Sequence, residues 1–163
     1  DNFVVTKHKL EFKNPVKELF FIIQRLRKVP GGHFVTNFDY DSVYQLIKGE
    51  YVNYEHLKSL ELTLDDTIIL NEETGSIINL RAVQSGIHHT RTQLFRRYYS
   101  YSFALEPERW YPTGQRNFSL VKDQLLKLTL NSEIDCKREL RVLGLSYNIL
   151  RVENGIAKTL FNL

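Results

Sequence analysis

The sequence predicts an all-β protein, an antiparallel sandwich of about eight strands with one or two short helical inserts. Three observations lead there. Apolar residues alternate with polar ones in several runs of strand length, as in Leu60-Glu61-Leu62-Thr63-Leu64 and Leu126-Lys127-Leu128-Thr129-Leu130. Nine Tyr and ten Phe, with no Met, favour strands, because flat bulky rings suit a pleated, half-buried surface. Turn-forming residues separate the runs, and no strand–helix–strand rhythm intervenes.

In order along the chain, Leu10 and Phe12 alternate with Glu11 and Lys13 as a half-buried strand, broken at Asn14-Pro15. Leu19-Phe20-Phe21-Ile22-Ile23 is a continuous apolar run, which suits a strand covered on both faces. Pro30-Gly31-Gly32 opens a long connection reaching about Glu55, within which Asp41–Gly49 reads as a short helix. The Leu60–Leu64 strand stops at Asp65-Asp66, and Thr67–Leu70 is a further β-prone run. Ile77, Leu80, Val83 and Ile87 recur at spacings of three and four, a helical turn or two ending at Gly86.

Tyr99, Tyr101, Phe103 and Leu105 share one face of the next extended stretch, with Ser100, Ser102 and Ala104 opposite. Glu106-Pro107 ends it, and Trp110-Tyr111-Pro112-Thr113-Gly114 has the Pro and Gly spacing of a turn. Trp110 is expected to pack beneath this corner. Asn117-Phe118-Ser119 then re-enters extended structure. Asn131-Ser132 turns the chain after the Leu126–Leu130 strand. Leu143, Leu145, Tyr147 and Ile149 share a phase that Leu150 and Val152 break, which suggests a bulge or a doubly buried strand end. Asn154-Gly155 predicts a two-residue hairpin turn, because both positions need positive φ.

Composition bounds the function. At 163 residues the chain can bury a sizeable core in one domain. The net charge of +3 is too mild to point to nucleic acid. One cysteine, Cys136, excludes an internal disulfide and fits a reducing compartment. No apolar run approaches the length of a membrane span, and the N-terminus lacks a secretory pattern. A chain opening on Asp reads as a fragment or processed piece.

Three collinear blocks carry a resemblance. SFALEPE (102–108) followed by PTGQRNFS (112–119) resembles the signature YSFAL-x-PE…PSG-x-x-NFSRID in the C-terminal jelly roll of the major capsid proteins of large nucleocytoplasmic DNA viruses. LEFKNPVKELFFIIQ (10–24) is similar to that domain's strand–corner–strand opening. LSYNILRVENGIAKTLFN (145–162) is similar to its closing hairpin. Ser119-Leu120-Val121-Lys122-Asp123 stands where the family has Ser-Arg-Ile-Asp, and Asn154-Gly155-Ile156-Ala157 replaces a Met-Gly-Gly run, so no role of the family's arginine carries over.

The resemblance selects a jelly roll among sandwiches of this strand number. It implies a single domain over residues 1–163, the C-terminal half of a double jelly-roll capsid protein. Its structural signature here is Pro15, Phe103, Pro107, Trp110, Pro112, Gly114, Asn117, Phe118, Asn148, Asn154 and Gly155. The implied role is that of a brick. Homotrimeric, pseudo-hexagonal capsomers tile an icosahedral shell, beside neighbouring capsomers and minor capsid proteins. An inner viral membrane lies nearby but is not spanned, and no cofactor or direct nucleic-acid contact is implied. The protein would reside in the virion and, during assembly, in host cytoplasm.

The residues themselves offer other chemistries. His88-His89 is the most tempting metal or base pair, but neighbours on a strand face opposite ways, and His8, His33 and His56 lack ligand spacing. Asp65-Asp66 and Glu72-Glu73 could be paired carboxylates, but both flank turns. Cys136 has no partner motif, and Gly31-Gly32 forms no phosphate cradle. Arg91, Arg96 and Arg97 beside Tyr98 and Tyr99 mix cations and rings as single-strand binders do, and as protein interfaces also do. Asn117-Phe118-Ser119 is formally a glycosylation acceptor. The alternatives to a capsid brick are a lectin-like sandwich stacking sugars on Trp110 and Tyr111, a related scaffold or minor shell protein, and, third, an enzyme.

Overall fold

The computed structural model describes residues 3–28, 34–36, 44–47, 50–53, 57–73, 77–90, 98–131 and 138–161. The strands are β1 (Val4–Lys9), β2 (Pro15–Lys28), β3 (Phe34–Thr36), β4 (Tyr44–Ile47), β5 (Glu50–Asn53), β6 (Leu57–Leu64), β7 (Thr67–Glu72), β8 (Tyr98–Ser102), β9 (Arg116–Asn117), β10 (Gln124–Leu130), β11 (Arg138–Ser146), β12 (Leu150–Glu153) and β13 (Ile156–Thr159). Between β7 and β8 a π-wound turn, Asn79–Val83, leads into helix α1, Gln84–His88.

Two antiparallel sheets enclose one core. The first runs β1-β10-β6-β7. The second is built on β2, which pairs with β11 over Val16–Arg25 and, over the same length, with β9 at Pro15–Val16 and β8 at Glu18–Ile22, before its end meets β3. The inward side chains of both sheets make a single cluster: Leu60, Leu62, Leu64, Leu126 and Leu128 from the first sheet meet Val16, Leu19, Phe21, Ile23 and Tyr99 from the second. Each fully buried side chain of this kind contributes about 1.5–3 kcal/mol over its exposed state. Registers Leu62↔Leu126 and Leu60↔Leu128 place these leucines opposite one another, so the two alternating runs found in the sequence are partners.

The strand-long apolar run of β2 is covered on both faces, as its composition predicts. Leu19, Phe21 and Ile23 enter the core; Phe20, on the other face, meets the rings of Tyr98 and His89 at 6.0 Å each. The helix α1 and its preceding turn supply that outer cover. Ser85 Oγ lies 3.3 Å from Ser100 Oγ, tying α1 to β8.

Several expectations are corrected. The first strand is β1, not Leu10–Lys13. Over residues 10–13 the chain crosses between sheets, and the Gln124 side chain replaces a partner strand, accepting from Phe12 N at 2.9 Å and donating to Phe12 O at 2.8 Å. The helix expected over Asp41–Gly49 is absent from its described part: Tyr44–Ile47 is a strand paired with β5, Tyr44 opposite Asn53. A local pattern cannot register that second strand. Asn117-Phe118-Ser119 is extended only to Asn117. Phe118–Leu120 is a 3₁₀ turn, capped by Asn117 Oδ1, which accepts from Ser119 N at 3.1 Å.

The phase chosen for β11 is also reversed. Leu140 and Val142 pack on the core, whereas Leu143 and Leu145 face out. The phase break after Ile149 is neither a bulge nor a doubly buried end. β11 stops at Ser146 and a separate ribbon, β12–β13, begins at Leu150. In that ribbon Asn154 (φ 51°) and Gly155 (φ 76°) form the expected turn. The helical spacing from Ile77 to Ile87 also agrees, although α1 continues past Gly86 to His88. Cys136, His33, His56, Gly31-Gly32, Arg91, Arg96 and Arg97 lie outside the described residues.

Candidate assembly surface and signature corner

Five of the signature residues, Pro15, Phe103, Gly114, Asn117 and Phe118, lie where β2, β8 and β9 meet. Asn14 takes a left-handed φ of 69°, and Pro15 then starts β2 opposite Asn117. Asn14 N donates to Ser119 Oγ at 2.8 Å, and Phe118 N donates to Asn14 O at 3.0 Å. The opening corner and the NFS segment are therefore one hydrogen-bonded joint. Phe118 is buried and stacks edge-on against Phe12 at 6.0 Å and Phe103 at 5.8 Å.

Above this joint the chain folds back on itself after β8. Phe103 N and Ala104 N both donate to Lys17 O, at 2.8 and 3.2 Å. Glu106 N donates to Thr113 Oγ1 at 2.9 Å, and Arg109 Nε to Glu106 Oε2 at 2.8 Å. The bound carboxylate raises the pKa of Arg109. Gly114, at φ 146°, lies so close that a Cβ would stand 2.6 Å from Phe103 O. Pro107 is buried in this fold and Pro112 is exposed. Trp110 does not pack beneath the corner. It is 88% exposed and meets Tyr111 edge-on at 5.5 Å. The hydrogen bonds across Glu106 and Thr113 close the loop without it, which leaves the indole at the tip.

One polar group links the corner to the sandwich interior. Glu18, on the outer face of β2, is 0% exposed. Its Oε1 lies 2.8 Å from His89 Nε2, and its Oε2 has no hydrogen-bond partner among the described residues. His89 Nδ1 lies 3.4 Å from Glu108 Oε1, so an imidazolium can donate to both carboxylates. The backbone N–H of Thr90, donating to Glu108 Oε1 at 3.0 Å, lowers the pKa of Glu108. His89 thus bolts the end of α1 to the central strand on one side and to the corner loop on the other. The histidine pair divides: His89 makes these contacts, while His88 lines a shallow cleft with Ile87, Leu105 and Glu106. Among the described residues, no group of three His, Cys, Asp or Glu is placed to hold a metal ion.

Of the acidic pairs, Asp65-Asp66 forms a turn, while Glu72 ends β7. Asp65 and Asp66 have φ of 48° and 61°. Asp65 Oδ1 accepts from Lys122 N at 2.8 Å and Asp123 N at 3.0 Å, and these N–H groups lower its pKa, with Asp123 the larger cause. Glu72 accepts from Asn79 Nδ2 at 3.4 Å, at the entry to the helical insert. At the chain's other signature, Asn148 clamps the root of the ribbon. It donates to Phe161 O at 2.9 Å and accepts from Ile149 N at 2.8 Å and Phe161 N at 3.1 Å.

Three residues escaped the sequence reading: Asn14 as a left-handed joint, Glu18, and Gln124. Gln124 shares the inward phase of Leu126 and Leu128, and Glu18 stands against the apolar run of β2. A polar residue in an inward phase, or flanking a doubly covered run, was the available signal.

What remains outside the core is notably apolar. Leu105, Trp110 and Tyr111 are exposed at the corner, Leu143 and Leu145 on β11, and Leu150, Val152 and Ile156 on the ribbon. No helix among the described residues is long and apolar enough to cross a membrane.

Comparison with known proteins places this architecture. Residues 4–158 match the family described as large eukaryotic DNA virus major capsid protein. The major capsid protein of Pyramimonas orientalis virus is 27% identical over 175 residues, an alignment covering 96% of this chain and 39% of that protein. Among solved structures, PBCV-1 VP54 fitted into a reconstruction of the virophage Sputnik superposes with a TM-score of 0.76 at 18% identity, over 99% of this chain and 47% of that one. A quasi-atomic model of the PBCV-1 capsid gives a TM-score of 0.69, also at 18% identity, over 98% of this chain and 46% of that one. The fold is that jelly roll, and the chain spans less than half the length of these relatives. With the family match running across both sheets, the joint and the ribbon, this chain belongs to the major capsid proteins of large eukaryotic DNA viruses.

Proposed function

We propose that this chain is the C-terminal jelly roll of a double jelly-roll capsid polypeptide. Three copies of that polypeptide form a pseudo-hexagonal capsomer, and capsomers tile an icosahedral shell. The observation that carries this reading is the family match over residues 4–158. The physical work is burial rather than bond chemistry. A core closed between two sheets gives a rigid body, and exposed aliphatic and aromatic groups remain for contact with neighbours. Partners are other copies, neighbouring capsomers and minor capsid proteins. The inner viral membrane lies close by without being spanned. Assembly occurs in host cytoplasm, and the product resides in the virion.

The test is to express the full-length polypeptide, measure its mass in solution and image it. Trimeric particles with hexagonal outline are expected. A permanently solitary polypeptide at high concentration would refute the reading.

A further inference from the structure

We infer that His89 is a proton-dependent clasp on the corner loop: it holds residues 103–114 to α1 while the ring carries two protons, and frees them when it carries one. The device lies within this chain and stands apart from the capsid reading. Its geometry is a pair of contacts, His89 Nε2 to Glu18 Oε1 at 2.8 Å and His89 Nδ1 to Glu108 Oε1 at 3.4 Å. An ionised carboxylate only accepts, so each contact needs a proton on the ring nitrogen that faces it. A neutral imidazole has one N–H and can serve one of the two.

The carboxylates do not compete equally for that single proton. Glu18 is 0% exposed, and its Oε2 has no hydrogen-bond partner among the described residues. Turning the N–H away from it would strand a buried charge, the least favourable arrangement open to the site. Glu108 has a side chain 40% exposed and keeps the Thr90 N–H at 3.0 Å. Solvent replaces His89 there with little loss. The remaining proton therefore stays on Nε2, and the contact that lapses is the one to the corner.

The other charged and titratable groups around His89 leave the ring in control. On β2, the ring of Phe20 lies 6.0 Å from the imidazole, and Lys17 reaches instead to the Tyr147 ring. Tyr98 of β8 stands across Phe20, and phenols ionise only near pH ~10. In the corner, Glu106 and Arg109 are joined to each other at 2.8 Å. The Thr90 N–H lowers the pKa of Glu108, so that carboxylate stays charged through mild acid. On the helical segment itself stand Arg81 and His88, and His88 lines the same cleft as Glu106 and Glu108. His88 is thus the second imidazole at the site, and the test separates the two.

The bonds that do not involve the ring define what is released. Phe103 N and Ala104 N stay tied to Lys17 O, and Glu106 N to Thr113 Oγ1. The loop keeps its shape and its root on β2, while its far end at Glu108 comes away from α1. Exposed Leu105, Trp110 and Tyr111 then sit on a looser support, so the corner is a stiffer contact surface in acid than in alkali.

The test is amide hydrogen exchange of the full-length polypeptide, read by mass spectrometry on peptides covering residues 103–114 from about pH 5 to about pH 9. Comparing the parent with Glu108→Gln at each pH cancels the chemical pH dependence of exchange. In acid the parent should exchange about threefold more slowly than Glu108→Gln, and in alkali the two should agree. His88→Gln should keep the parent's pH-dependent gap. Neither substitution strands Glu18, so both leave the core joint intact. A ratio that stays flat from acid to alkali, or a gap abolished by His88→Gln, would overturn the clasp. A polypeptide that never associates would sink the capsid reading without touching this result.

Discussion

Replacing Gly114 with alanine should destabilise the fold by about 2–6 kcal/mol, the sum of a backbone strain of about 1–3 kcal/mol and an overpacking cost of similar size. The strain follows from φ 146°, a conformation that L residues rarely adopt. The overpacking follows from the neighbours: a Cβ would stand 2.6 Å from Phe103 O and 3.1 Å from Ala104 Cα. Those are backbone atoms that cannot swing aside. They are tied to β2 through Lys17 O, which accepts from both Phe103 N and Ala104 N. Gly155→Ala is the internal control, since φ there is also positive, at 76°, but nothing lies within 4 Å. It should cost only about 1–2 kcal/mol. At about 2–4 °C per kcal/mol for a chain of this size, Gly114→Ala should melt roughly 10 °C below the parent and clearly below Gly155→Ala. Urea titration should show a lower midpoint with unchanged slope. Equal melting temperatures for the two variants would mean that the close approach to Phe103 is not real. Gly114→Val adds a branch to the same clash and should yield no folded protein.

His89→Ala should cost about 3–5 kcal/mol, because it strands a buried carboxylate, and Glu18→Gln should cost less, because it removes the charge as well; urea midpoints with the reverse order would overturn the bolt. Asp65→Asn should lower stability near pH 7 and converge with the parent in acid. The folded pKa of Asp65 is depressed, so its contribution is present above the unfolded value near 3.8 and is lost as pH falls through the lower folded value; parallel stability curves across pH 2–7 would contradict this. Trp110→Ala should leave the melt of the isolated chain within about 0.5 kcal/mol of the parent, since the indole touches little besides Tyr111; a larger loss would show the ring to be packed.

Where period and partner agree, the sequence was readable. Leu60–Leu64 and Leu126–Leu130 alternate because one face is core, and the same fact makes them neighbours in the first sheet. Asn154-Gly155 was readable because its turn demands a conformation few residues accept. Tyr44–Ile47 was misread because a four-residue strand owes its state to β5, not to its own pattern. In β11 both faces carry aliphatics, Leu140 and Val142 inward and Leu143 and Leu145 outward, so a rule that sends leucine inward could not tell the sides apart. Trp110 failed for a related reason: size predicts burial only when the surface in question is not kept for contact. Glu18–His89–Glu108 was hidden because its members are 71 and 19 residues apart in sequence, and only the sheet and loop bring them together.

The strand pairing also dictates a timetable. β1 waits for β10, and β2, although it can meet β3 and β8 earlier, has its other edge covered only once β11 has been made. Long separations of this kind slow folding and leave β1 and one edge of the apolar β2 uncovered in the meantime. The yield of folded domain should therefore depend on helper factors that shield residues 15–28 until β11 has been made.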